Sequence, residues 1–235
     1  MSISRRNWIV FDGDNTLWET ERLYDDARHA LCKLIASQAP TVREQDVAAF
    51  QRRRDHELHA EMGYSPSRYP RSFAETADHF LGPAHPRTEE ARGLAERVFD
   101  MNARAAQDVD SVLERLARSF SISLLTAGER SVQERRIASF GRSRFFSKIR
   151  IVPSKSAAVL REFLLYCGAD AHLSWMVGDS LKSDIVPASE IGMNSVWLKV
   201  ANWHEVEIAD LVAPEKTHVA RSLLDVRSII LKTSE

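Results

Sequence analysis

Two acidic residues one position apart follow a short apolar run near the start of the sequence. Asp12 and Asp14 come directly after Trp8-Ile-Val-Phe11. If this run is a buried strand, both carboxylates can converge on one ligand, because open α/β sheets bind ligands beyond the carboxyl ends of their strands. Acidic pairs in loops are also common as solvated turn residues. The pair by itself leaves both roles open.

Polar residues that could do chemistry recur at three later places in the chain. Thr126-Ala127-Gly128 ends a second apolar run, and Gly178-Asp179, with Asp184 further on, follows a third. Lys155 precedes a helical pattern, although Lys148 lies close by and either lysine could be a surface residue. If the apolar runs are parallel strands, all of these groups meet at one edge of a sheet.

The apolar runs are short and do not alternate cleanly, which is typical of strands covered on both faces. Helical spacing lies between them, and strands that alternate with helices predict a parallel sheet with right-handed crossovers. The fold class we predict is therefore α/β, with a Rossmann-like parallel sheet core. The runs are Trp8–Phe11, Ile122–Thr126, Trp175–Val177 and Ser195–Leu198, the helical patterns cover 109–117, 131–140 and 156–166, and a last strand over 209–212 and a closing helix over 217–231 follow.

One long segment, from about Trp18 to Arg104, shows helical periodicity and no convincing strand. Proline and glycine interrupt it at Pro40, 63–66 and 82–83. The pattern predicts helices over 21–37, 43–61, 71–81 and 88–102. We therefore expect a core built from residues 1–18 and 105–235, with an inserted all-α cap domain at 19–104.

The four polar groups, in this order, resemble the motifs of the haloacid dehalogenase superfamily. The resemblance covers the chain outside the insertion and implies that Asp12 is a covalent nucleophile and Asp14 a general acid and base. It also implies a Mg²⁺ ion, which prefers oxygen ligands, bound by Asp12, Asp179 and the backbone carbonyl of Asp14. Asp184 would act through water or through Lys155. The matching residues are Asp12-Gly-Asp14-Asn-Thr16, Thr126, Lys155 and Gly178-Asp179 with Asp184.

The resemblance assigns the remaining motif residues to the phosphate and to the loop. Thr126 and the backbone amides of Ala127 and Gly128 would hold phosphate oxygens, while Lys155 neutralises charge on the nucleophile and the phosphoryl group. The hydroxyl of Thr16 would fix the loop that carries the two acids. Family members that displace halide are understood to lack an acid at the second position, so Asp14 favours phosphate esters.

The implied function is a magnesium-dependent phosphatase that hydrolyses a small phosphorylated metabolite through an aspartyl-phosphate intermediate. A sugar phosphate mutase of the same superfamily is the alternative, with Lys33, Arg52 or His56 shielding the intermediate from water. An alternative of another class is a non-catalytic phosphate-binding or regulatory module, which the complete set of motif side chains disfavours.

Three residues are candidates for contact with the substrate from the insertion: Trp18 at its entrance, and Arg68 and Arg71 beside a proline-rich break. The formal net charge of −1, from 32 Lys+Arg and 33 Asp+Glu, gives no general attraction for nucleic acid or an anionic membrane. No stretch approaches the roughly 20 apolar residues of a membrane span. We expect a cytoplasmic enzyme with a small-molecule phosphate ester as its partner, and the sequence leaves the oligomeric state open.

Overall fold

The computed structural model describes residues 7–199, 212–215 and 217–233. The chain forms two compact units, one from Met1–Glu19 with Ala103–Glu235 and the other from Thr20–Asn102. We call them the core unit and the helical unit. That the helical unit serves as a cap stays a prediction.

A parallel sheet of six strands, among the described residues, forms the centre of the core unit, in the order β5-β4-β1-β6-β7-β8. Every neighbouring pair is parallel, and the first strand lies between the fourth and the sixth. This arrangement confirms the predicted α/β, Rossmann-like fold class. The strands are β1 (Trp8–Phe11), β4 (Ser121–Ala127), β5 (Lys148–Val152), β6 (Trp175–Gly178), β7 (Asn194–Leu198) and β8 (Thr217–Ala220).

Helices cover both faces of this sheet. Ile9 and Phe11 belong to one apolar cluster together with Val226 of the last helix, whereas Val10 belongs to another with Phe163. Successive residues of a strand point to opposite faces, so a strand covered on both sides must be apolar throughout. The helices of the core unit are α5 (Val109–Ala117), α6 (Arg130–Phe140), α7 (Ala157–Cys167), α8 (Val186–Glu190) and α9 (Leu223–Thr233).

The C-terminal end differs from the prediction. Residues Thr217–Ala220 form the edge strand β8, paired with β7, and the closing helix begins only at Leu223. Helical spacing misplaced the start because Thr217 and Val219 are β-branched and gain sheet pairing instead. The strand predicted over 209–212 falls, except for its last residue, outside the described residues.

Two very short strands connect the core unit to the helical segment of the chain. β2 (Trp18–Glu19) and β3 (Arg104–Ala105) are antiparallel, with Trp18 opposite Ala105 and Glu19 opposite Arg104. The two points at which the chain leaves and re-enters the core unit are therefore adjacent.

The helical unit has its own apolar core. Leu31, Ile35, Val47, Tyr69 and Phe73 are at most 1% exposed and pack into one cluster. None of the helices in the described part of the chain is both long and apolar enough to span a bilayer. The helices are α1 (Glu21–Gln38), α2 (Glu44–Met62), α3 (Arg68–Leu81) and α4 (Thr88–Glu96), and a 3₁₀ turn at Arg97–Phe99 follows.

Candidate active site

The carboxyl ends of three adjacent strands bring the predicted motif residues together. Asp12 follows β1, Thr126 lies at the end of β4, and Asp179 follows β6. Because β1 pairs with both of the other strands, these ends lie side by side at one edge of the sheet. The backbone amide of Asp12 extends the pairing by donating a hydrogen bond to the carbonyl of Val177 at 2.8 Å.

Lys155 lies between two of the acidic side chains. Its ammonium group contacts the carboxylate of Asp12 and lies 2.6 Å from Asp184 Oδ1. Burial alone would lower the pKa of Lys155, but the two carboxylates outweigh burial and raise that pKa, so the side chain stays charged. Lys148, the other lysine considered, lies 4.6 Å from the centroid of the Tyr166 ring. The structure therefore selects Lys155 as the lysine beside Asp12.

Asp12, Asp179 and Asp184 are the one trio of acidic side chains in the described part of the chain that is arranged to hold a metal ion. One carboxylate oxygen of each lies within 4.8 Å of the others, and each residue is at most 6% exposed. Lys155 supplies one positive charge against these three carboxylates. A hard divalent cation fits this site, because every donor is an oxygen and the negative charge is in excess.

Burial, together with the crowding of like charges, raises the pKa of two members of the trio, Asp12 and Asp179. Burial, opposed by Lys155 and reinforced by Asp184, raises the pKa of Asp12 to about 7. Burial, followed by repulsion from Asp12 and Asp184, raises the pKa of Asp179 well above its ordinary 3.8. Both shifts have the sign expected when carboxylates are crowded together away from water.

The loop after β1 is held by its backbone. The carbonyl of Gly13 accepts hydrogen bonds from the amides of Thr16, Leu17 and Trp18, and Asn15 adopts a left-handed conformation with φ of 57°. The hydroxyl of Thr16 is buried and finds no hydrogen-bond partner among the described residues. In the structure the turn around Gly13 holds the loop, and the expectation that the Thr16 hydroxyl fixes it stays a prediction.

Asp14 accepts hydrogen bonds from three side chains. The indole Nε1 of Trp18 donates to Oδ1 at 2.5 Å. Gln133 Nε2 and Arg136 Nη1 both donate to Oδ2, at 2.8 and 2.6 Å. These contacts fix the orientation of the carboxylate two residues after Asp12.

Thr126 and Gln133 link the end of β4 to Asp14. The Thr126 hydroxyl donates to Gln133 Oε1 at 3.2 Å, and Gln133 Nε2 also donates to the carbonyl of Ala127 at 3.2 Å. Gly128 has φ of 142°, a backbone conformation that residues other than glycine rarely adopt. That Thr126, Ala127 and Gly128 hold phosphate oxygens stays a prediction.

The segment after β6 forms a π-helical turn, Leu181–Ile185, that aims Asp184 back at the strand end. The amide of Ser180 donates to Asp184 Oδ2 at 3.1 Å, and the Trp197 indole donates to the carbonyl of Asp179 at 2.8 Å. A methyl group on Gly178 would come within 2.2 Å of Asp184 Oδ2. Glycine is required here because the carboxylate occupies the space of a side chain.

The three residues expected to contact the substrate have other partners. Trp18 is fully buried in the core unit, 5.1 Å from Phe140 between ring centroids. It has no exposed surface to offer a substrate, and its indole donates to Asp14 instead. Arg68 is buried in the helical unit, 2.7 Å from Asp55 Oδ1. Arg71 is half exposed and pairs with Glu75 at 2.7 Å. Substrate contact by the two arginines stays a prediction.

Gln133 and Arg136 contribute to the site and did not emerge from the sequence. They lie three residues apart on α6 and are 2% and 4% exposed. Their signal was weak: polar residues at positions that share a helix face with Val132 and Phe140, which are themselves buried. A helix that buries polar residues must give them partners, and here the partner is Asp14.

Comparisons with known proteins agree with the fold. Residues 153–226 match a family model described as HAD-hydrolase-like. The fold is similar to that of a haloacid dehalogenase-like family hydrolase from Xanthomonas campestris, with 20% identity, a TM-score of 0.76 and coverage of 99% of this chain and 93% of the other. The sequence has no significant match among curated proteins.

Two further solved structures are similar in fold. A putative HAD-hydrolase from Bacillus subtilis, bound to magnesium, has 16% identity, a TM-score of 0.67 and coverage of 97% of this chain and 99% of its own. A HAD phosphatase from Thermococcus onnurineus has 18% identity, a TM-score of 0.59 and coverage of 95% and 97%. Haloacid dehalogenases are also among the matching structures.

The chain therefore has the fold of haloacid dehalogenase-like hydrolases, and its residues 153–226 match the HAD-hydrolase-like family model, in agreement with the sequence resemblance.

Proposed function

We propose that the protein is a magnesium-dependent phosphatase that hydrolyses a small phosphorylated metabolite through an aspartyl-phosphate on Asp12. One observation carries this proposal. A second carboxylate, that of Asp14, is held in a fixed orientation two residues after a cluster member that is itself in contact with Lys155. Nucleophile and acid–base group are therefore separate side chains of one loop.

Phosphate esters suit this site better than haloacids. Displacement of halide from carbon produces a stable anion that needs no proton, so a second acid would have no task. Departure of an alkoxide from phosphorus does need a proton, which Asp14 can supply. A phosphate ester also carries negative charge that must be neutralised, and a trio of carboxylates with room for a hard cation meets that need.

The proposed reaction divides hydrolysis into two steps. A carboxylate oxygen of Asp12 attacks phosphorus, the bond from phosphorus to the ester oxygen breaks, and Asp14 gives a proton to the departing oxygen. Water then attacks the aspartyl-phosphate, Asp14 takes its proton, and the bond between phosphorus and Asp12 breaks to release phosphate. Lys155 holds Asp12 in place during both steps.

Asp12, Asp179 and the Asp14 carbonyl would hold the magnesium ion, and Asp184 would orient the site through Lys155 or water. When bound, the ion supplies neutralisation of charge on the phosphoryl oxygens. Thr126 with the amides of Ala127 and Gly128 would hold those oxygens.

The test is hydrolysis of 4-nitrophenyl phosphate with magnesium present. We expect Asp12→Asn to lower kcat by roughly a thousandfold or more, since the covalent route is lost. Asp170→Asn is the matched control, because Asp170 is exposed and asparagine can keep its hydrogen bond to the His172 amide. Full activity in a folded Asp12→Asn protein would exclude the proposed nucleophile.

A panel of phosphorylated metabolites then defines the substrate. Release of inorganic phosphate supports the phosphatase, whereas isomerisation of a sugar phosphate without phosphate release supports the mutase. Saturable binding with no turnover over the whole panel supports a binding module.

A further inference from the structure

We propose that Trp18, Gln133 and Arg136 act together as positioning residues for Asp14, leaving one defined oxygen position free for proton transfer. We call these three residues the Asp14 clamp. The inference rests on the proposed function and adds to it the residues that prepare the acid–base group.

The clamp leaves little freedom to the Asp14 carboxylate. An ionised carboxylate has two oxygens with about four positions that accept hydrogen bonds. Gln133 and Arg136 occupy both positions on Oδ2, and Trp18 occupies one on Oδ1. Among the described residues no further donor reaches Asp14. The remaining position on Oδ1 is therefore the one from which a proton can be given or taken.

Each member of the clamp is itself immobilised. Trp18 is fully buried, packs on Phe140, and fills the space that a Gly13 side chain would need. The Gln133 amide has only one consistent orientation, since its nitrogen faces two acceptors and its oxygen accepts from Thr126.

Arg136 adds charge to this arrangement. Its side chain is 4% exposed, against 27% for Asp14. A buried guanidinium beside a carboxylate holds it through a strong, charge-assisted hydrogen bond. The fully buried arginine thus fixes the more exposed acid, which keeps access to solvent and substrate.

The leaving group of the substrate separates this role from a structural one. An alkyl phosphate needs the proton from Asp14, whereas 4-nitrophenolate departs without one. The ratio kcat/KM reports the steps up to departure of the leaving group. A protein with a misplaced Asp14 should therefore lose kcat/KM for the alkyl ester and keep most of it for the nitrophenyl ester.

The experiment compares Arg136→Met with wild type on 4-nitrophenyl phosphate and on the alkyl phosphate that wild type hydrolyses best. We expect kcat/KM to fall on the order of a hundredfold for the alkyl ester, and by less than about threefold for the nitrophenyl ester. Its kcat should fall with both esters, because hydrolysis of the common aspartyl-phosphate needs Asp14 as a base. A burst of nitrophenolate would then precede the steady state.

Trp18→Phe removes the donor to Oδ1 while keeping an aromatic ring, and we expect the same selectivity with a smaller loss, about tenfold. Arg130→Met is the matched control, because Arg130 lies on the same helix and its side chain is 69% exposed. If Arg136→Met fails to unfold cooperatively, Trp18→Phe decides the question.

Equal losses of kcat/KM on both esters, or no loss of kcat/KM on either, would overturn the clamp. Wild-type protein that hydrolyses neither ester would instead overturn the proposed function itself, and the clamp with it. Selective loss in the variants, with an unchanged Arg130→Met protein, supports both.

Discussion

At the scale of single residues, the site places three buried carboxylates beside one buried lysine. Lys155 neutralises only part of the charge that Asp12, Asp179 and Asp184 bring together away from water. Burial first, and then repulsion between the carboxylates, raises the pKa values of Asp12 and Asp179. Folding and the proposed binding of a cation would therefore be linked through the same side chains.

This linkage predicts how stability changes with pH in the metal-free protein. The folded-state pKa of Asp12, about 7, lies above the ordinary 3.8, so the folded protein holds more protons than the unfolded chain between those values. Protonation of Asp12 therefore stabilises the folded protein at low pH. This contribution to the free energy of unfolding is lost as pH rises from about 4 to about 7. Urea unfolding at several pH values measures it, and magnesium should stabilise more at about pH 7.5 than at about pH 5.

Asp12→Asn provides the control for this prediction. Asparagine cannot titrate, so the difference in unfolding free energy between wild type and variant should change over the same pH range. A difference that is independent of pH, or a magnesium effect that is larger at the acidic end, would contradict the assignment.

The sequence located the charged residues of this cluster but not all of their partners. Asp12, Asp14, Asp179 and Asp184 follow apolar runs, and their order along the chain carries the family resemblance. Gln133 and Arg136, in contrast, lie on a helix, where a polar residue is normally solvent-facing. Only tertiary packing shows that these two point inward.

At the scale of elements, the site depends on the close approach of the Asp184 carboxylate to Gly178 at the end of β6. Gly178 leaves the volume in which the Asp184 carboxylate lies, and the π-helical turn after the strand supplies that carboxylate. A side chain at position 178 would therefore occupy the space that the Asp184 carboxylate fills.

We predict that Gly178→Ala weakens both stability and magnesium binding. The added methyl would lie 2.2 Å from Asp184 Oδ2 and 2.6 Å from Asp184 Cβ, so the buried acid must move. Overpacking of this kind costs about 1–3 kcal/mol, measurable by urea unfolding, with calorimetry to follow magnesium.

Gly93→Ala is the matched control. Gly93 lies within α4, and a methyl group there would contact nothing within 4 Å. Alanine should stabilise the helix by about 0.5–1 kcal/mol. Equal behaviour of the two variants would show that Gly178 is not sterically constrained.

The elements that the sequence predicted are those with continuous apolar runs. β1, β4, β6 and β7 are covered on both faces, and each appears as such a run. The two edge strands, β5 and β8, bury only their last residues, Val152 and Ala220. Neither presents a continuous apolar run, so the sequence pattern predicts no strand at either place.

At the scale of the whole molecule, the chain forms two units with separate apolar cores. The paired strands β2 and β3 bring Glu19 opposite Arg104. A hairpin can be closed between paired residues by a two-residue turn such as Asn-Gly.

We predict that the core unit folds without the helical unit. Replacing residues 20–103 by Asn-Gly should leave a protein with one cooperative urea transition and a far-ultraviolet circular dichroism spectrum of α/β type. Pro-Pro in place of Asn-Gly cannot form that turn and should cost about 1–2 kcal/mol. A non-cooperative transition in the Asn-Gly protein would mean that the core depends on the removed helices.

The contact between Lys155 and Asp12 joins positions 143 residues apart in the chain. Contacts this distant form slowly, since the entropy of closing a long segment is lost before any pairing compensates for it. The helices of the inserted segment depend on nearby residues and can form early. During refolding, recovery of turnover should therefore lag behind recovery of the helical circular dichroism signal. The time at which activity returns would then report when the central sheet is complete.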